Sequence, residues 1–298
     1  MTRLILLGAG ASFGSIDAIP HTPPLGDKLF AALEARSSQA ATLPEALKAK
    51  FRERFELGMA AFEEHVNGNV MRFQRELAHY LAEFTPGPKS AYLRLIRAVG
   101  HQRVIFSSLN YDLLFELSAG ALHLKTTYSS ENSAGSVRLL KIHGSSNFWP
   151  NTGSNQLKGC TFSGFSVDIE APVLPLNQYD TIQKCLTQDS LAPAIAMYAE
   201  GKKKKVCPAY VNAQQKQWTA AVLSARKVGI IGTRIYSLDD HVWGTLAASR
   251  ADIYYYGVTE NDRMEFDEWK ANAGRKNIYF VKANFGDAVA LVAKVMKA

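Results

Sequence analysis

The chain has 298 residues, 47% of them hydrophobic and 20% charged, enough to bury a sizeable core as one large domain or one domain with an insert. No apolar run approaches the roughly 18–20 residues of a membrane span, and the opening MTRLILLGAG is too short for a secretory signal, so a cytoplasmic protein is expected. A net charge of +7 suits an anionic partner, whether a nucleotide, a nucleic-acid strand or an acidic protein surface, while three widely spaced cysteines (Cys160, Cys185 and Cys207) form no CxxC pair and argue against bound metal.

Residues 3–7 predict the first strand, which runs into Gly8-Ala9-Gly10-Ala11-Ser12. Small residues at such a turn let backbone N–H groups approach a phosphate. The third glycine, Gly14, comes one place late for a dinucleotide fingerprint, and Pro20, Pro23 and Pro24 forbid an immediate long helix. An ordinary Rossmann dehydrogenase is therefore disfavoured, and the glycine pair also fits a bare tight turn. From Leu25 the pattern turns helical, with Asp27 as the expected N-cap. After Pro44, Phe51, Phe55, Met59, Phe62 and Val66 recur at steps of three and four. Beyond the break at 67–69, Val70, Phe73, Leu77, Leu81 and Phe84 repeat the period. Pro86-Gly87-Pro88 closes that unit, and 90–99 reads as one more helix. Residues 27–99 thus read as a helical module inserted between the first two strands of a sheet, with its aromatic stripe as core and His65 and His79 in solvent-facing or structural roles rather than catalysis.

Two further strands are predicted at 103–109 and 137–142, ending in Asn110-Tyr111-Asp112 and His143-Gly144-Ser145. In parallel sheets the chemistry gathers beyond the carboxyl ends of strands, so the glycine turn, the amide–carboxylate turn and the imidazole turn are expected to make one site. Asn110 and Asp112 also suit capping of a helix at 113–118, and a histidine before glycine also suits a plain turn. The stretch 150–205 is loop-rich, with a helix expected at 181–200, broken at Pro193. Within it Lys202–Lys205 lacks interleaved aromatics and reads as a solvated loop rather than a nucleic-acid clamp. Strands at 206–208, 227–231 (ending in Gly232-Thr233), 252–256 and 277–281 alternate with helices at 214–225, 239–249 (capped by Asp239), 262–273 and 287–297. This alternation predicts an α/β, Rossmann-like parallel sheet with helices on both faces, its core formed by 1–26 and 100–298.

Taken together, GAGAS, IPHTPPLG, SSLNYD, KIHGS and IIGTRIYSLDDH, in that order along nearly the whole chain, resemble the sirtuin superfamily, and in particular its bacterial sirtuin-like branch. The resemblance implies that Gly8, Ala9, Gly10, Ala11 and Ser12 lie around an NAD pyrophosphate, that Asn110 and Asp112 lie beside the nicotinamide ribose, and that His143 is the catalytic base. It places Gly232 and Thr233 near the adenosine half, and matches Pro20, Pro24 and Gly26 only loosely to a flexible cofactor-covering loop. Protein-deacylating sirtuins carry a four-cysteine zinc module where this chain has 150–205, which lacks the cysteines to build one, and Tyr111 stands where they have an apolar residue. The resemblance, with these departures, implies NAD+ as a substrate and no zinc. The implied activity is NAD+ glycohydrolysis to ADP-ribose and nicotinamide by an effector of anti-phage defence. Such effectors act as homo-oligomers or beside a DNA-translocase ATPase or a nucleic-acid-guided protein. Asn110 offers a donor and an acceptor to a water or a ribose hydroxyl, Asp112 favours developing positive charge, and an imidazole of ordinary pKa about 6.5 accepts a proton near neutrality. A non-catalytic sensor of NAD or ADP-ribose, and a protein deacylase or ADP-ribosyltransferase, are the competing readings.

Overall fold

The computed structural model describes residues 2–36, 38–129, 134–153, 157–164, 167–196, 204–236 and 239–297. Thr2–Leu7 (β1) leads through the glycine turn into a five-residue helix, Ala9–Phe13 (α1), kept short as the downstream prolines require. A two-residue strand, Ala18–Ile19 (β2), precedes the helices Gly26–Glu34 (α2), Glu45–Glu53 (α3), Phe55–His65 (α4) and Met71–Ala82 (α5). Thr85–Pro86 (β3) pairs antiparallel with β2, and Ala91–Val99 (α6) returns the chain to the sheet. Val104–Ser108 (β4), Leu114–Gly120 (α7), Lys125–Thr127 (β5) and Ser136–Lys141 (β6) follow. Phe148–Pro150 (β7) and Val173–Pro175 (β8) form a small antiparallel pair before Gln178–Thr187 (α8). The remainder alternates: Pro208–Ser224 (α9), Ala225–Ile231 (β9), Asp240–Ala248 (α10), Asp252–Gly257 (β10), Glu260–Ala273 (α11), Ile278–Lys282 (β11) and Phe285–Lys297 (α12).

The central sheet is parallel, with seven strands in the order β11-β10-β9-β1-β4-β6-β5. Successive residues of β1 supply opposite faces. Ile5 and Leu7 join the apolar layer of α2 to α7 and α12, whereas Leu4 and Leu6 join that of α9, α10 and α11. The fold is therefore the expected α/β, Rossmann-like sheet covered on both faces. Helices of the 27–99 segment share one continuous cluster with β1, β4 and β6, and its centre is a ladder of rings in which Phe51 stacks on Phe30 at 4.3 Å and on Phe73 at 5.7 Å. From β1 the chain moves to β4 on one side, and from β9 to β10 on the other. The crevice beyond these two strands is the switch point where such sheets bind ligands. No helix among the described residues is long and apolar enough to cross a membrane.

Several local expectations are corrected. Leu25, extended behind Pro23 and Pro24, is the N-cap of α2, so Asp27 lies inside the first turn. Arg54 is extended and splits the long helix after Pro44 in two, which lets Phe51 and Phe55 enter the same core with their ring centroids 5.5 Å apart. The helix expected at 181–200 stops at Thr187. Beyond it the chain extends along the turn after β6, where the N–H groups of Ala194 and Ala196 donate to Phe148 O and His143 O; residues 197–200 lie outside the described residues. Val206 makes only an isolated bridge to Ile169, because Cys207 adopts a left-handed conformation and α9 starts at Pro208, earlier than expected. Lys202 and Lys203 lie outside the described residues. Lys205 is buried against Glu63 at 3.3 Å and donates to Gly164 O, and Lys204 Nζ donates to Asn212 and Gln215, so this half of the basic run is structural rather than solvated.

All three cysteines are free thiols. Cys160 is exposed, whereas burial pushes Cys185 up to about 12 and Cys207 up to about 11. Because the thiolate is the nucleophile, iodoacetamide at pH 8 is expected to modify Cys160 alone in the native protein and all three in denaturant. Intact-mass measurement checks this by counting adducts.

Candidate active site

Four strand ends meet at the carboxyl edge of the sheet, and each is tied to the next. The turn after β9 locks onto the turn after β1: Gly8 N donates to Ile231 O at 3.0 Å and Gly10 N to Gly232 O at 2.8 Å. There is no room for side chains here. A Cβ on Gly8 would lie 2.5 Å from Gly232 O, and one on Gly232, whose φ is +62°, would run into Ala11 N. Gly232→Ala is therefore expected to lower stability by about 1–3 kcal/mol for the backbone conformation alone, with the steric clash added to it. Urea denaturation measures the loss.

The turn after β4 is joined to the glycine turn by side chains. Asn110 Nδ2 donates to Gly8 O and to Ser12 Oγ, each at 2.8 Å, and Ser12 Oγ donates to Asp112 Oδ2 at 2.6 Å. Tyr92 of α6 reaches the same hydroxyl at 2.8 Å, and burial, followed by the nearby Asp112 carboxylate, holds its phenol far above the ordinary range and hence protonated. Asp112 also accepts the N–H of Leu114 through Oδ1, so it supports the start of α7 as well as the site. Asn110 and Asp112 are only 8% and 5% exposed.

Beyond them, the turn after β6 is bound to the turn after β4. Ser146 donates to Tyr111 O through both its N–H and its hydroxyl, and Lys141 Nζ donates to Asp112 O at 2.7 Å. Lys141, 1% exposed, also pairs at 3.3 Å with Glu116, whose side chain is 12% exposed. Tyr111 donates to Ala196 O at 2.7 Å, which fastens the segment that follows α8 over this edge. His143 is 1% exposed, and its Nε2 lies 3.0 Å from Nε2 of His241, a half-buried residue in the first turn of α10. Since α10 follows β9, this contact closes a ring of polar contacts: β9 turn, β1 turn, β4 turn, β6 turn, and back across the imidazole pair.

The structure thus brings together Gly8, Gly10, Ala11, Ser12, Asn110, Asp112, His143, Gly232 and Thr233, the last buried and accepting Tyr255 Oη–H at its carbonyl. Ala9 is the exposed residue of the glycine turn, and the N–H groups of Gly8, Gly10 and Ala11 are all bonded within the fold. The expectation that this turn as a whole offers its N–H groups to a phosphate is corrected accordingly.

Sequence reasoning missed His241, Asp239, Tyr92 and the Lys141–Glu116 pair. Asp239 is the positional N-cap of α10 but makes no side-chain cap bond; its carboxylate lies with the two imidazoles, the three donor atoms within 4.8 Å of one another. The only signal was the Asp-Asp-His run behind the Gly232 turn, and nothing in its spacing connects it to His143. No protein-family model matches the chain, and no curated protein matches it.

Proposed function

We propose that the chain is an NAD+ glycohydrolase, cleaving NAD+ to ADP-ribose and nicotinamide, with His143 as base and Asn110 and Asp112 beside the reacting ribose. The observation that carries this reading is the ring itself: a glycine turn, an amide–carboxylate pair and an imidazole joined edge to edge at the switch point of a parallel sheet. The bond between nicotinamide and ribose breaks with its electron pair passing to the pyridinium ring, which leaves neutral and needs no acid. Positive charge then develops on the ribose, as in other glycosidic cleavages, and the Asp112 carboxylate favours it. Water adds to the anomeric carbon. Its proton goes to His143, and His241 offers that buried ring a route toward solvent. In this reading Gly232 and Thr233 stand at the adenosine end, and the glycine turn meets the pyrophosphate through its exposed Ala9.

The reading extends to a cytoplasmic effector of anti-phage defence. It works as a homo-oligomer, switched on by assembly or by a partner such as a DNA-translocase ATPase or a nucleic-acid-guided protein. The order of the five sequence motifs along the chain supports it. Purified protein, alone and with its genomic neighbours, is to be incubated with NAD+ while nicotinamide and ADP-ribose are followed chromatographically. Stoichiometric release of both is expected. NAD+ left intact under every condition, including high protein concentration, would sink the enzymatic reading.

A second reading rests on the internal bonding of the Gly8, Gly10 and Ala11 N–H groups. Glycines so completely explained by turn packing also suit a non-catalytic subunit that senses NAD or ADP-ribose. That protein would bind either ligand in a calorimeter and turn neither over.

A further inference from the structure

We propose that His143, Asp239 and His241 form a binding site for one divalent transition-metal ion, Zn²⁺ in the first instance. The site stands independently of NAD+ cleavage. Two imidazole nitrogens and one carboxylate are the donor set of open zinc centres, which keep a fourth position for water. Tetrahedral zinc with Zn–N bonds of about 2.0–2.1 Å places its two nitrogens roughly 3.3–3.4 Å apart. In this chain the two Nε2 atoms face each other at 3.0 Å, and the carboxylate oxygen lies with them inside a 4.8 Å limit. A separation of about 0.3–0.4 Å between the rings therefore admits the ion between the two nitrogens. The ligands come from two elements: His143 lies two residues beyond the end of β6, Asp239 is the N-cap residue of α10 and His241 lies in its first turn. None of the three cysteines belongs to the cluster.

An ion held here takes the Nε2 contact through which the proposed hydrolysis passes its proton from His143 to His241. On that reading, which this consequence alone requires, bound Zn²⁺ suppresses NAD+ cleavage.

The full chain, stripped with a chelator, is to be titrated with Zn²⁺ by calorimetry and with Co²⁺ by visible absorption, alongside His241→Ala, Asp239→Asn and Cys160→Ser. One ion per chain is expected for the parent and for Cys160→Ser, with a ligand-field spectrum of nitrogen–oxygen character. Affinity should fall at least about tenfold in His241→Ala and in Asp239→Asn, with circular dichroism unchanged. No binding by the parent, or equal affinity in both ligand variants, overturns the site, whatever the NAD+ assay shows. Conversely, absence of NAD+ cleavage beside intact, variant-sensitive metal binding counts against the hydrolase reading and leaves the site standing. Cleavage that persists at saturating Zn²⁺ overturns the placement of the ion on His143 Nε2.

Discussion

Replacing His143 by alanine is expected to lower NAD+ cleavage about 10²–10⁴-fold, the range a positioned general base contributes. The ring is the side chain at the β6 end that closes onto α10, and it is buried, so bulk water cannot stand in for it. The loss should fall on kcat with little change in KM, because the imidazole acts on the attacking water rather than on the bulk of the dinucleotide. Asn110→Ala should differ in kind. Its amide joins the glycine turn to the β4 turn, so both kinetic constants should worsen, and stability should fall by about 1–3 kcal/mol as buried partners lose a bond. Steady-state kinetics and urea denaturation on the two variants separate these patterns. Parent-like turnover by His143→Ala would remove the base from the mechanism.

The second large effect is structural. Lys141→Met leaves the largely buried Glu116 carboxylate, 12% exposed, beside Asp112 without its cation and should cost about 3–5 kcal/mol, the usual result of breaking a buried pair from one side. Burial already pushes the Glu116 carboxyl above its ordinary range, with Lys141 opposing that shift. A raised carboxyl means that the folded state holds its proton more tightly than the unfolded chain does. The associated stability is complete below the unfolded value of about 4.3 and is lost as pH rises through the folded one. Removing Lys141 raises the carboxyl further, so the deficit of the variant should be smallest in acid and grow toward neutrality. The double variant Lys141→Met/Glu116→Gln should recover much of the loss, since no charge is then stranded. Denaturation midpoints at several pH values test all three statements.

The sheet was legible because each of its longer strands is a short branched or aromatic run that ends in a polar or glycine break, and because the residues between them carry helical periods. The weaker signals failed for identifiable reasons. Lys125–Thr127 has no apolar run, since it is an edge strand beside β6 only. Val206-Cys207-Pro208 looks like a strand in composition, yet the left-handed Cys207 and the helix-opening Pro208 make it a helix start. Of the candidate site, the residues at the ends of β1, β4, β6 and β9 could be read because strand ends are where such folds place polar groups. His241 and Tyr92 could not, since each arrives from a helix whose register is fixed by packing and not by any local pattern. Lys141 is instructive: nothing in the sequence marks it as buried, and only Glu116 and the Asp112 carbonyl explain its position.

Because the strand-end contacts close on themselves, they should not behave as independent bonds. Cutting one link leaves the others joined as an open chain with its ends still near each other, so the first cut is partly absorbed. A second cut elsewhere releases a whole arc. Pairs of substitutions taken from distant parts of the circuit, such as Ser12→Ala with His241→Ala, should therefore show coupling energies that separation alone would not give, in contrast to the near-additivity usual for sites more than about 7–10 Å apart.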